Sequence, residues 1–125
     1  MIRKDYIQLY FDELAKVLAT ILQLKNDFKP TEAEAKLNDF STDFLGISFE
    51  ELLAIDTNLV KFLTKEKEFT LIHFKILEDL LYHKYLINSL DKKLKRLTLE
   101  VLKYVAETDI DYSIERNVRI EELNE

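Results

Sequence analysis

Residues 2–28 read IRKDYIQLYFDELAKVLATILQLKNDF, and the fold class turns on how that stretch is read. Taken as a helix, it repeats Ile7, Leu14, Ile21 and Phe28 at one heptad position and Tyr10, Val17 and Leu24 at the complementary one, with Phe11 and Leu18 beside them. Apolar residues recurring every three to four positions line one face of a helix. The other side carries Lys4, Asp5, Gln8, Asp12, Glu13, Lys16, Thr20, Gln23 and Asn26, and no Gly or Pro intervenes before Pro30. The stripe is broader than a two-residue coiled-coil seam, so the stretch reads as an internal mast that more than one other helix covers.

The rest of the composition agrees with helices. A chain of 125 residues suits a single domain, 1–125, of which the tail 109–125 is the least defined by pattern. One Gly and one Pro leave too few breakers for a sheet protein rich in tight turns, or for disorder. The formal net charge of -6 opposes the electrostatic footprint of a nucleic-acid binder, which must offset phosphate with Lys and Arg. No cysteine is present, which removes disulfides, thiolate zinc sites and cysteine nucleophiles and fits a reducing cytoplasm. Asp5, Asp12 and Glu13 interrupt the apolar block a signal peptide needs, and Val17 to Leu24 is far shorter than the roughly 20 residues of a membrane span. The expectation is a soluble, cytoplasmic protein without a membrane segment.

Further along, Thr31-Glu32-Ala33-Glu34 has the form of a capping box and opens a second helix through Ala33, Leu37, Phe40, Phe44 and Leu45. Gly46 stands where a left-handed cap would end it. Ser48 to Glu51 repeats the capping pattern ahead of a short helix, and Asp56 is the expected cap of another through Leu59, Val60, Phe62 and Leu63. A long helix follows from Phe69 to about Asn88, with Phe74, Ile76, Leu77, Leu80, Leu81, Tyr85 and Ile87 inward and Lys75, Glu78, Asp79 and Tyr82 outward. Asp91 caps the next, through Leu94, Leu97, Val101, Leu102, Tyr104 and Val105, and the two make a helical hairpin that packs on the mast. In the tail, Ile110, Tyr112 and Ile114 alternate as in a strand; lacking a partner strand, a short closing helix headed by Asp111 or Ser113 is the better reading.

The string Ala33-Glu34-Ala35-Lys36-Leu37-Asn38-Asp39-Phe40, continuing to Phe44-Leu45-Gly46, resembles the second helix of a tetratricopeptide repeat, and the hairpin Phe74 to Glu107 is similar in its lengths. The chain as a whole, from Ile2-Arg3-Lys4-Asp5-Tyr6-Ile7, resembles a family of small bacterial proteins of unknown function with tetratricopeptide-like helices. The two matching stretches lie too far apart for an array with a period of about 34 residues. The expected fold is therefore all-α, an irregular helical bundle of about five to seven helices built from tetratricopeptide-like antiparallel hairpins.

Catalytic patterns are missing. His73 and His83 lie nearly three turns apart on one helix, too far to share a metal, and the pair Asp79 and His83 is at most half a site. The acid pairs Glu50/Glu51, Glu78/Asp79 and Glu121/Glu122 are neighbours in sequence and splay across a helix surface. Nucleophile elbows and phosphate loops need several placed glycines. No catalytic residue, metal ligand or cofactor is assigned, and the chain reads as non-enzymatic.

Two surfaces are left as candidates. Tyr6, Leu9 and Tyr10 on the mast, with Tyr82, Tyr85 and Leu86, supply more apolar area than a small bundle hides. They point to a protein partner or a homodimer, against a monomer whose tail covers them. Lys92, Lys93, Lys95 and Arg96 form a basic patch at a helix start, where cations oppose the dipole; they suit an acidic partner, the chain's own tail, or RNA, with a plain solvated face the blander reading. The leading expectation is a protein–protein interaction or assembly module. The alternatives are a ligand-binding bundle or enzyme using His73 with Glu78 or Asp79, and a regulator touching nucleic acid through Lys92 to Arg96.

Overall fold

A computed structural model describes residues 4–124, apart from the side chains of residues 4–7, 10 and 25. Among the described residues the chain is all-helical: α1 (Lys4–Asn26), α2 (Pro30–Phe40) continued by a π-helical turn (Ser41–Leu45), α3 (Phe49–Leu53), α4 (Leu59–Glu66), α5 (Leu71–Ile87), α6 (Lys92–Thr108) and α7 (Ile114–Leu123). It is an irregular helical bundle, and none of these helices is long and apolar enough to cross a membrane. The chain divides into two compact units, 1–49 and 50–125.

In the first unit α1 packs against α2. Leu14 and Ile21, at the same heptad position, are buried, and Val17 and Leu24 are half-buried. Ile7 and Tyr10 lie outside the described side chains. Phe28 does not continue the stripe: it is 91% exposed and has φ 59°. The helix has already closed, because the Lys29 N–H donates to the Leu24 carbonyl (2.8 Å) around Phe28, the hydrogen bond of a left-handed helix end.

The second helix starts differently from its expected capping box. Pro30 is its first residue, and Lys29 at the N-cap makes no side-chain cap, so Thr31 falls inside the first turn. Proline fits there because its φ is preset and its missing N–H would have had no helical partner. Ala33, Leu37 and Phe40 form its buried face. The π-helical turn then carries the chain to Gly46, which closes it at φ 71°, the left-handed cap foreseen there. The turn also buries Ser41 completely, and its hydroxyl donates to the Ile47 carbonyl (2.6 Å).

The second unit is organised on α5 and α6. Phe74 meets Tyr104 edge-on (4.9 Å between ring centroids) and Leu81 lies beside Thr98, so stepping back along α5 steps forward along α6: the pair is antiparallel. Between them Leu77, Leu80, Leu81, Leu94, Leu97, Val101 and Val105 are fully or almost fully buried. Asp91 caps α6 as expected, accepting from the Leu94 N–H (3.0 Å). For α4 the cap is Asn58, not Asp56: Asn58 Oδ1 accepts from the Lys61 N–H (2.9 Å), and the Glu100 carboxylate on α6 takes the Val60 N–H (2.9 Å). Asp56 is turned to Lys93 instead (3.1 Å). The tail is helical, and Ser113 caps α7 by accepting from the Arg116 N–H (3.1 Å).

Candidate functional site

The segment after α6 does not continue its apolar seam. From Asp109 the chain extends, and Ile110 (98% exposed), Tyr112 (79%), Ile114 (72%) and Val118 (47%) all face solvent. Ile114 and Val118 are one turn apart and so share a ridge of α7. The inward side of that helix is formed by Arg116 and Leu123, both buried, with Arg119 half-buried between them. The helix therefore buries an arginine while exposing an isoleucine and a valine, the reverse of ordinary amphipathic packing.

Charge on α5 explains the reversal. Arg116 donates from Nε and Nη2 to both oxygens of Glu78, each at 2.7 Å, and its Nη1 stands 3.7 Å from Asp109, which Lys75 also reaches (3.2 Å). Arg119 bridges to Asp79 (2.6 Å) and to Glu115, and its guanidinium lies 4.2 Å over the Tyr82 ring. Tyr82 in turn donates its hydroxyl to Glu122 (2.8 Å). Glu78, Asp79 and Tyr82 meet Arg116, Arg119 and Glu122 in the same order, so α7 runs parallel to α5. Glu78, expected on the wet side, is buried, and Tyr82 is half-covered by the tail.

Burial pushes the Glu78 and Asp79 carboxyls above their ordinary values, with the hydrogen bonds and charges of Arg116 and Arg119 pulling the other way. Asp109 is held below its ordinary value, first by the Asp111 N–H and then by Lys75. Burial, and then the Glu122 carboxylate, raise Tyr82. Two magnitudes decide the orientation of α7. Rolling the helix to cover Ile114 and Val118 would gain about 1.5–3 kcal/mol per fully buried side chain, and Val118 is already half-covered. Taking Arg116 away from buried Glu78 alone costs about 3–5 kcal/mol, and Asp79 would lose its partner too. The ion pairs win, and the apolar ridge stays out.

The other candidate residues do not converge. His73 sits at the start of α5, where the Thr70 N–H donates to its Nδ1 (3.0 Å); a backbone N–H can only donate, so Nδ1 is the bare nitrogen. Phe69 stacks on the ring (5.0 Å), and burial lowers the imidazole's pKa. With Glu78 and Asp79 held by arginines, His73 shares no site with them. His83 is buried at the edge of the Tyr82 ring, and Asp79 is turned to Arg119.

Among the described residues no three His, Asp or Glu side chains gather where a metal ion could be held. An open groove of about 380 Å³ runs along α4 and α6 past Asn58, Lys61, Glu100, Lys103 and Tyr104. Its Glu100 carboxylate already serves the Val60 N–H.

Of the apolar candidates, Leu9 and Leu86 are exposed, Tyr85 is half-buried, and the side chains of Tyr6 and Tyr10 lie outside the described residues. In the basic patch Lys92 and Arg96 are exposed, Lys93 is bound to Asp56, and Lys95 is half-buried. The 110–118 strip was not among the sequence candidates. Its signal was present in the alternation of Ile110, Tyr112 and Ile114 with Asp109, Asp111, Ser113 and Glu115, and in Arg116 and Arg119 sharing one face of the tail helix. Comparison with protein-family models, with curated proteins and with solved structures gives no match.

Proposed function

We propose that the protein works without catalysis, as an interaction module that docks another protein through residues 110–118. The observation that carries this reading is the inverted packing of α7: Ile110, Tyr112, Ile114 and Val118 face outward while Arg116 is buried. Large exposed apolar patches mark contact surfaces, and these side chains gather on one short segment. Aromatic and aliphatic anchors without competing long cations beside them also suit a desolvated contact centre.

Placing a photo-crosslinking amino acid at position 112 in the native cell tests this directly. The expected result is a discrete adduct from position 112 that is missing when the same group replaces Lys36, an exposed residue of α2. Identical labelling from both positions would count against docking at 110–118.

A further inference from the structure

We infer that the occupant of the 110–118 surface is a cationic amphipathic segment of another protein, with apolar side chains on one face and Lys or Arg beside them. This rests on the interaction reading above and adds the chemistry of the partner. Between 107 and 122 the chain carries Glu107, Asp109, Asp111, Glu115, Glu121 and Glu122, and its only two cations there are Arg116 and Arg119. Arg116 is turned inward onto Glu78 and Asp109, and Arg119 onto Asp79 while also reaching the exposed Glu115. Glu107, Asp111 and Glu121 are exposed around Ile110, Tyr112, Ile114 and Val118, as is Glu115, which is paired with Arg119. The ladder that fixes the apolar ridge outward thus also leaves its rim negative.

That charge selects among occupants. A phosphate-bearing partner, whether nucleic acid or an anionic membrane surface, meets repulsion at the rim. A second copy joined by a two-fold axis sets the strip against itself, so Asp111 and Glu115 would approach their own equivalents in a chain of net charge -6. A segment bearing Lys or Arg beside its apolar residues satisfies rim and ridge together. Recognition of this kind is helix-in-groove or strip-on-strip docking, in which rim charges raise the association rate and the apolar anchors set the lifetime.

The test uses the full chain and two synthetic helical peptides with leucine on one face, one carrying lysine and the other glutamate on the remaining positions. Fluorescence anisotropy is expected to show the lysine peptide binding at least about tenfold tighter than the glutamate peptide, with the gap shrinking as salt is raised. Ile110→Ser with Ile114→Ser, both at exposed positions that leave the buried core alone, should weaken the lysine peptide by about tenfold or more. Asp111→Asn with Glu121→Gln should weaken it several-fold and flatten its salt dependence. Circular dichroism checks that each variant keeps the wild-type helix content.

Equal binding of both peptides, or a lysine peptide indifferent to the Ile110/Ile114 variant, overturns the inference. So does light scattering that shows a dimer abolished by the same variant, which would make the occupant a second copy. A discrete adduct from position 112 without lysine-peptide binding would reject the cationic class and leave the interaction reading standing; failure of both experiments removes both.

Discussion

Helix α5 is joined to α6 and to α7 by opposite physics. Toward α6 the seam is hydrocarbon, with Phe74, Leu77 and Leu81 against Leu97, Val101 and Val105, all within a per cent of full burial. Toward α7 it is a ladder of charge, Glu78 to Arg116 and Asp79 to Arg119, ending in the Tyr82 to Glu122 hydrogen bond. The first kind of seam is non-directional and supplies most of the stability. The second adds little net stability once desolvation is counted, but each guanidinium accepts only a narrow geometry, so it fixes the rotation and register of the helix it holds. One side keeps the unit folded, and the other aims α7.

Truncation on the apolar side should do the most damage. Phe74→Ala, which empties a fully buried site touching Phe69 and Tyr104, is expected to cost about 3–5 kcal/mol of unfolding free energy in urea titrations. A value below about 1 kcal/mol would mean that the hydrocarbon seam is not the main support.

On the charged side, Arg116→Ala should cost about 3 kcal/mol, chiefly by stranding Glu78. The double change Glu78→Leu with Arg116→Met should recover most of that loss while faster amide exchange in α7 reports a looser rotation. If the double variant is as unstable as the single one and α7 exchanges as in the wild type, the ladder is a stability device and the contrast fails.

The smallest effect lies at the start of α5, where His73 takes part in the cap. Its folded pKa is lowered, so the stability it contributes is present above the ordinary histidine value near 6.5 and is lost as pH falls through the folded value. His73→Gln keeps an acceptor for the Thr70 N–H without titrating. Unfolding midpoints followed from about pH 7.5 down to pH 5 should therefore fall more steeply for the wild type than for the variant; parallel curves would show that the cap does not titrate with this ring.

The all-helical architecture was legible because local signals decide it. Asp91 and Ser113 precede helices and cap them, and the only glycine ends the π-helical turn, where φ 71° penalises a side chain although nothing lies within 4 Å of the place a Cβ would take. Local signals also misled. Thr31 has the spacing of a capping residue, but Pro30 starts the helix and puts the N-cap two positions earlier, at Lys29. Asp56 is an equally good cap by type, yet it pairs with Lys93 while Asn58 takes the role. The candidate site was the least legible part. Whether Glu78 faces water or Arg116 depends on a partner 38 positions away, and a helical wheel of α5 alone assigns it to the solvent side. An inverted helix can be read only once the charges that invert it have been matched across the chain.

The parallel ladder between α5 and α7 has a consequence in time. Its rungs join residues 38 to 40 positions apart, whereas α5 and α6 meet across a four-residue link. Closing the shorter loop costs less chain entropy, so the α5–α6 hairpin can form before the rungs from α5 to α7 close. Interactions made that late are weakly developed in the folding transition state. Loss of Arg116 would therefore hasten unfolding far more than it slows folding, and the aimed ridge would be the first part of this unit to let go and the last to return.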